Sequence, residues 1–94
     1  MVPVHPGRIL RDELNSRALS ANGLARALRV PSGRIVDILN GKRAISAETA
    51  LRLGRYFGND PQFWMNLQAQ YELAVAEREL GPRVVKEVDV PDAA

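Results

Sequence analysis

Apolar residues recur along this chain at the three- and four-residue spacing of helices, and turn residues separate the runs. Pro6 suits a first helical position, Ser20 and Ser46 suit N-caps, and Asp60-Pro61 suits an N-cap followed by a first-turn proline. The pattern predicts five helices joined by short connections, which makes the fold all-α. They span residues 6–17, 21–28, 31–39, 47–57 and 61–80.

The fifth predicted helix carries two apolar stripes on nearly opposite sides. One stripe comprises Trp64, Leu67, Tyr71, Ala74 and Val75, and the other comprises Met65, Ala69, Leu73, Ala76 and Leu80. One stripe can cover the core of a single subunit, whereas the other is exposed unless a second chain meets it. We therefore predict a two-fold homodimer. Its predicted interface comprises Met65, Ala69, Leu73, Ala76, Leu80, Trp64 and Tyr71. The alternative is that both stripes bury within one subunit.

The end of the chain has a different character. Gly81-Pro82 is expected to stop the fifth helix, so the sequence predicts one domain over residues 1–81 and a tail over residues 82–94. Val88 and Val90 alternate with charged residues, which suits a short strand ended by Pro91. Disorder and an extended arm laid on a partner are the other interpretations of the tail.

The bulk composition limits the function classes. A chain of 94 residues holds one core, and the lack of cysteine excludes disulfides and thiolate metal sites. No apolar run approaches the roughly 18 residues that span a bilayer. The N-terminal residues do not resemble a secretory signal, so we expect a cytoplasmic protein.

Charge is distributed unevenly along the chain. Residues 1–58 hold ten Lys/Arg and four Asp/Glu, a balance of +6, whereas residues 59–94 hold three and seven, a balance of −4. A basic N-terminal half favours a polyanionic partner, of which nucleic acid is the usual example. The alternative is a solvated basic surface.

The second and third predicted helices have the spacing of a helix-turn-helix. Two short helices joined by a turn of three or four residues can cross steeply, so that the second enters a DNA groove about 12 Å wide. The small Ala25 suits the crossing point, and Ile35 and Ile38 supply the inner face of the second helix. Residues 20–40 are therefore predicted to form the motif.

Three segments resemble the phage-repressor-like (Cro/CI, or XRE) family: Leu24-Ala25-Arg26-Ala27-Leu28, residues 30–35, and Asn40-Gly41-Lys42-Arg43. His5-Pro6-Gly7, Ala50-Leu51-Arg52-Leu53 and residues 60–68 look like HigA-type antitoxins, also known as plasmid-maintenance antidote proteins. The resemblance covers roughly residues 5–80. It implies a phage-repressor-like domain without a cofactor that binds a palindromic operator in double-stranded DNA. It also implies repression of the protein's own operon and inhibition of a RelE-like ribonuclease toxin.

The resemblance further implies which residues meet DNA. The base-facing positions of the recognition helix are Ser32, Gly33, Arg34 and Asp37; the loop near phosphate holds Asn40, Lys42 and Arg43; and the scaffold helix starts with Ser20, Ala21 and Asn22. Arg29 stands where many relatives have glycine. If that position needs a positive φ, arginine there costs roughly 1 kcal/mol, although it can compensate by reaching a phosphate.

Several of these residues have a second interpretation. Arg34 can bond guanine O6 and N7 together, or it can contact a phosphate. Asp37 can accept a hydrogen bond from cytosine N4, or it can aim Arg34 through an i, i+3 salt bridge. Ser32 serves either as an N-cap or as a DNA contact.

The sequence offers no enzyme-like site. His5 is the only histidine, so it builds no metal site alone and is interpreted as a turn or cap residue. Two rival functions remain: a free-standing repressor without a toxin, and an interaction module that no longer binds DNA, which Gly33 and Ala21 favour. The candidate toxin-binding surfaces are the tail and the first helix around Arg8, Arg11 and Asp12.

Overall fold

The computed structural model describes residues 2–92, and over that range the protein is built from helices alone. The helices are α1 (Pro6–Ser16), α2 (Ala21–Leu28), α3 (Ser32–Leu39), α4 (Ala47–Phe57) and α5 (Pro61–Glu87). The predicted all-α, five-helix fold is confirmed. The strand considered for Val88 and Val90 does not form, because the backbone there has no strand partner within the described residues.

Side-chain caps fix where the helices begin. The Ser20 hydroxyl accepts a hydrogen bond from the Gly23 N–H at 2.9 Å, and Asp60 accepts one from the Gln62 N–H at 2.9 Å. Ser46 caps α4 in the same way. The Nδ1 atom of His5 accepts from the Gly7 N–H at 2.9 Å, so His5 is the N-cap of α1. Each of these caps satisfies a backbone donor that a helix start leaves unpaired.

The core lies where all five helices meet. Its buried apolar members are Leu10, Leu14, Leu24, Ala25, Leu28, Ile35, Ile38, Ile45, Ala50, Leu53 and Trp64. Trp64 has no exposed surface, and its indole N–H donates to the Asn59 side chain at 3.0 Å. The prediction that Trp64 contacts a second subunit is therefore wrong, because this side chain is already enclosed within its own chain.

The two stripes of α5 differ in exposure. The Trp64 stripe continues through half-buried side chains at Leu67 and Tyr71, so it is the stripe that covers the core. On the other stripe Met65 is partly buried, but Leu73 and Leu80 are 71% and 45% exposed. The alternative in which one subunit buries both stripes is therefore wrong.

Helix α5 extends further than the sequence predicts. It continues through Gly81 and Pro82 to Glu87, so residues 83–87 are helical and not extended. Gly81 does not take up the left-handed conformation of a helix-ending glycine. Pro82 removes one helical N–H donor and crowds the carbonyl of the preceding turn, but it is exposed and the helix continues past it. Beyond it the Arg83–Glu87 pair at 2.6 Å and the Val88 N–H bond to Val84 support the last turns.

Two close contacts hold α3 and the following loop in place. A Cβ atom on Gly7 would lie 1.9 Å from the Ile38 carbonyl oxygen, so the start of α1 packs directly on the end of α3. The buried Gln68 side chain of α5 accepts from the Ile45 N–H at 2.9 Å. These contacts fix the position of the region that carries the candidate site. Among residues 2–92, no helix is long and apolar enough to cross a membrane.

Candidate nucleic-acid interface

A tight turn joins α2 to α3 and is centred on Arg29. Its backbone is left-handed, with φ 60° and ψ 45°, and its N–H bonds the carbonyls of Ala25 and Arg26. This arrangement closes the last turn of α2 and redirects the chain into α3. Arginine in this conformation costs roughly 1 kcal/mol relative to glycine. The positive φ considered at this position is present, and the side chain is exposed.

The N-terminus of α3 is open to solvent. Pro31 occupies the N-cap position and makes no side-chain cap bond. Ser32 is the first helical residue and is exposed, so its interpretation as an N-cap is wrong and its hydroxyl faces outward. No atom lies within 4 Å of where a Cβ on Gly33 would stand. The first turn of α3 can therefore approach a ligand without obstruction.

The outward face of α3 contains a residue that sequence reasoning missed. Val36 is 39% exposed and lies between Gly33 and the exposed Asp37, on the side opposite the buried Ile35 and Ile38. Isoleucine and valine are alike in hydropathy, so the pattern of this short apolar helix does not single out Val36. An exposed valine on a recognition helix suits apolar contact with a thymine methyl group.

Arg34 lies on the flank of α3 that faces α4. Its side chain is only 21% exposed, and its Nη1 atom donates to Glu48 Oε1 at 3.0 Å. The i, i+3 pair with Asp37 that the sequence suggests does not form. Glu48 was not a candidate from the sequence, because it belongs to another helix and no local spacing links it to Arg34.

Glu48 in turn contacts a second arginine. Its Oε2 atom lies 3.3 Å from Arg52, and Arg52 donates through Nη1 to the Leu28 carbonyl at 2.9 Å. The Arg34 charge, aided by a hydrogen bond from Arg52, lowers the pKa of the Glu48 carboxyl. This carboxylate is therefore ionised at neutral pH and stands between two cations.

The loop after α3 presents the other predicted cations. Gly41 has φ 73° and the Lys42 N–H bonds the Asp37 carbonyl at 2.8 Å, so the loop folds back on the end of α3. Asn40, Lys42 and Arg43 are all exposed. Asn40 also accepts a long hydrogen bond from Arg11 at 3.5 Å, which places a cation of α1 beside this loop.

His5 lies against this loop. A Cβ atom on Gly41 would lie 3.8 Å from Cγ of its ring, and the ring meets the Tyr71 ring edge-on, with centroids 4.9 Å apart. Burial lowers the pKa of His5, which keeps the ring neutral and its Nδ1 atom available as the α1 cap. The histidine thus joins α1, the loop and α5.

The start of α2 completes the surface. Ser20 and Asn22 are exposed, whereas Ala21 is half-buried and offers no polar group. The Ser20 oxygen already accepts the cap hydrogen bond, but its hydroxyl proton remains available to a phosphate oxygen. The structure thus presents a helix N-terminus with flanking hydroxyl, amide and basic groups, an arrangement suited to a polyanion.

Comparisons with known proteins bear on this surface. The model of a family described as helix-turn-helix matches residues 10–64. Virulence-associated protein I of Dichelobacter nodosus is 51% identical over 80 residues, which are 84% of this chain and 74% of that protein.

Two solved structures share the whole fold. An addiction module antidote protein of a HigA family from Coxiella burnetii is 47% identical, with a TM-score of 0.94, and the match covers 97% of this chain and 100% of that one. The Pseudomonas aeruginosa antitoxin HigA, solved with the higBA promoter, is 48% identical, with a TM-score of 0.91 and coverage of 94% and 97%.

Proposed function

Because this chain belongs to the XRE-type helix-turn-helix family, and within it resembles HigA-type antitoxins along nearly its whole length, we propose that it binds operator DNA and represses its own operon. The observation that carries the proposal is the exposed N-terminus of α3 at Ser32 and Gly33, with Lys42 and Arg43 exposed in the loop that follows the helix. A helix presented in this way fits the major groove, whose edges distinguish all four base pairs.

The two kinds of contact divide between two parts of the surface. Ser32, Arg34, Val36 and Asp37 of α3 face the groove and read the bases, while Gly33 lets the backbone come close. The phosphates are met by the cations and polar groups around the groove: Ser20, Asn22, Arg29, Asn40, Lys42 and Arg43. Phosphate contacts set position and affinity, and base contacts set specificity.

A binding assay on the promoter of the protein's own operon tests this proposal. Arg34→Ala is expected to weaken operator binding by about 1–3 kcal/mol and to relax the choice of one base pair. Lys42→Ala is expected to weaken binding to all sequences equally and to reduce the salt dependence by about one unit of slope. Equal affinity of the wild-type protein for operator and scrambled duplexes would refute specific repression.

We propose that the active species is a two-fold dimer. The support is the exposed apolar stripe of Ala69, Leu73, Ala76 and Leu80, which α5 presents away from its own core. In this proposal the two copies of α3 lie on one side of the assembly. Half-sites about 34 Å apart on a palindrome would then be read together.

We further propose that the chain neutralises a RelE-like ribonuclease toxin. The support is its likeness to proteins named as antitoxin and antidote, over nearly their whole length. The test is to find whether a neighbouring gene encodes a small basic ribonuclease-like protein and to co-express that gene with this one. Restored growth and co-purification of the two proteins are expected. Unrelieved toxicity with intact operator binding would leave a repressor without this second activity.

A further inference from the structure

Arg34 is held in place by a chain of polar contacts that crosses three helices. Its guanidinium donates to Glu48 of α4 at 3.0 Å, and the other oxygen of Glu48 lies 3.3 Å from Arg52. Arg52 donates in turn to the carbonyl of Leu28, at the end of α2, at 2.9 Å. The end of α2 therefore helps to orient Arg34, which lies on α3, through this chain of contacts.

The contact with Glu48 leaves Arg34 able to read a base. A guanidinium carries five N–H donors in a fixed fork, and Glu48 takes one of them through Nη1. The Nη2 group and the second Nη1 hydrogen remain for guanine O6 and N7, which need two adjacent donors. The salt bridge can therefore persist in the DNA complex.

Without this restraint Arg34 could instead bind a DNA phosphate. An unrestrained arginine at a DNA surface is attracted to the nearest phosphate, a contact that carries no sequence information. The Glu48 carboxylate repels phosphate and attracts Arg34, so it acts against that arrangement. Glu48 itself is 57% exposed and depends on Arg52 for its own position.

Resting on the proposed function, we propose that Glu48, anchored by Arg52, is a positioning residue that holds Arg34 in register for base recognition. It determines operator specificity while making no contact with the bases itself. Glu48 is not expected to raise the overall affinity for DNA, because it adds a negative charge to the DNA-binding face. Its removal is expected to strengthen non-specific binding and to weaken discrimination.

The test compares the affinities of wild type and Glu48→Gln for operator and scrambled duplexes of equal length at several salt concentrations. The ratio of the two affinities is expected to fall roughly tenfold in Glu48→Gln, within the discrimination attributed to one bidentate arginine–guanine contact. Glu48→Asp keeps the charge and is expected to retain more of the ratio. Glu13→Gln is the matched control, since it removes an equal charge from an exposed i, i+4 pair with Arg17 on α1.

A double-mutant cycle separates positioning from a general effect of charge. In an Arg34→Ala background, Glu48→Gln is expected to leave the ratio of affinities unchanged. The proposal is overturned if Glu48→Gln alone keeps the wild-type ratio, or if it lowers the ratio equally without Arg34. If wild type itself prefers no sequence, the proposed function fails. If Arg34→Ala loses discrimination but Glu48→Gln does not, only the positioning role fails.

Discussion

Arg29 combines an unfavourable backbone conformation with a position at the edge of the proposed DNA-binding surface. Its φ of 60° is one that glycine adopts freely, yet its side chain is a long exposed cation. A residue that lowers stability is retained most readily where its side chain serves another purpose. Stability and DNA affinity are therefore expected to respond in opposite directions when Arg29 is replaced.

Arg29→Gly is expected to raise the free energy of unfolding by about 1 kcal/mol, because it relieves the left-handed strain. In a domain of this size that corresponds to a rise of about 4–8 °C in Tm. Operator binding is expected to weaken, with the salt dependence reduced by about one unit of slope. Thermal unfolding and binding titrations measure the two effects.

Ala18→Gly provides the matched control, since Ala18 has φ 52° and belongs to the turn before α2. It is expected to raise Tm in the same way while leaving operator affinity unchanged. A lower Tm for Arg29→Gly would show that the arginine side chain contributes more to the fold than its backbone strain removes.

His5 makes stability depend on pH near neutrality. Its pKa is lowered from 6.5 by burial, so the unfolded chain takes up a proton at a higher pH than the folded chain. The free energy of unfolding is therefore highest above pH 6.5, falls as the pH drops below that value, and levels off below the folded pKa. Denaturant titrations at closely spaced pH values measure this slope.

His5→Asn isolates that slope, since asparagine can still cap α1 but does not titrate. Because the chain has one histidine, the stability of this variant is expected to be flat from about pH 7.5 to 5.5. An equal slope in both proteins would assign the effect to another group. At lower pH both proteins are expected to lose stability as Glu48, whose pKa is lowered chiefly by Arg34, takes up its proton.

At the scale of elements, the position of α3 depends on how closely α1 approaches it. A Cβ on Gly7 would overlap the Ile38 carbonyl at 1.9 Å, and neither group is the flexible end of a side chain. Gly7→Ala is therefore expected to lower the free energy of unfolding by at least about 1–3 kcal/mol. Because α3 would have to move, operator affinity is expected to fall as well.

Gly33→Ala is the counterpart on α3 itself. It adds a methyl group to a helical site with open space, so it is expected to stabilise the fold by about 0.5–1 kcal/mol. Weaker operator binding by this more stable variant would place the Gly33 backbone against the DNA.

For Gly7→Ala, wild-type stability would contradict the tight packing of α1 on α3.

The sequence predicts the helix starts well because the signals there are local. Ser20, Ser46 and Asp60 each cap a backbone N–H two or three residues ahead, so the cap and its partner are visible in the same few residues. Where α5 ends depends on a competition between the helix-ending signal of Gly81-Pro82 and the helical hydrogen bonds that form before and after these residues. Local propensity alone does not decide such a balance.

The candidate site likewise combines features that the local sequence predicts with features that depend on how the helices pack. The exposed face of α3 follows from helical periodicity, which identifies Ile35 and Ile38 as its buried side. The partner of Arg34 follows from how α4 packs, and Glu48 is distant in sequence. Contacts between elements of this kind carry no periodic signal, so only the three-dimensional structure identifies them.

Over the whole molecule, basic residues lie in the first part of the chain and acidic residues in the second, which also forms the long helix α5. The basic residues 1–58 hold the proposed DNA-binding surface, whereas the acidic residues 59–94 include the whole of α5. The molecule extends 54 Å along one axis and only 25 and 22 Å along the others, since α5 is 27 residues long. Helix α5 itself holds four Glu and three Lys/Arg, so it lacks the basic surface that DNA attracts. Its exposed apolar stripe therefore suits contact with a second copy more than contact with DNA.

The dimer proposed here is tested by placing a charge on that stripe. Leu73 is 71% exposed in one subunit, so Leu73→Glu is not expected to disturb the monomer's core. In a dimer the same carboxylate would be buried against an apolar partner surface, which is strongly unfavourable. Sedimentation is expected to show a monomer for Leu73→Glu and a dimer for wild type. Leu51→Glu, on α4 and 62% exposed, is the control and is expected to remain dimeric.

The same assembly predicts how the operator must be spaced. Two copies of α3 fixed by one interface reach only half-sites at one fixed spacing, which is about 34 Å, one turn of B-DNA, or a multiple of it. Inserting about five base pairs turns the second half-site to the opposite face of the duplex, so the insertion is expected to reduce wild-type affinity to that for a single half-site. Monomeric Leu73→Glu is expected to bind both spacings equally and weakly. Equal affinity of wild type for both spacings would show that the two subunits do not read the operator together.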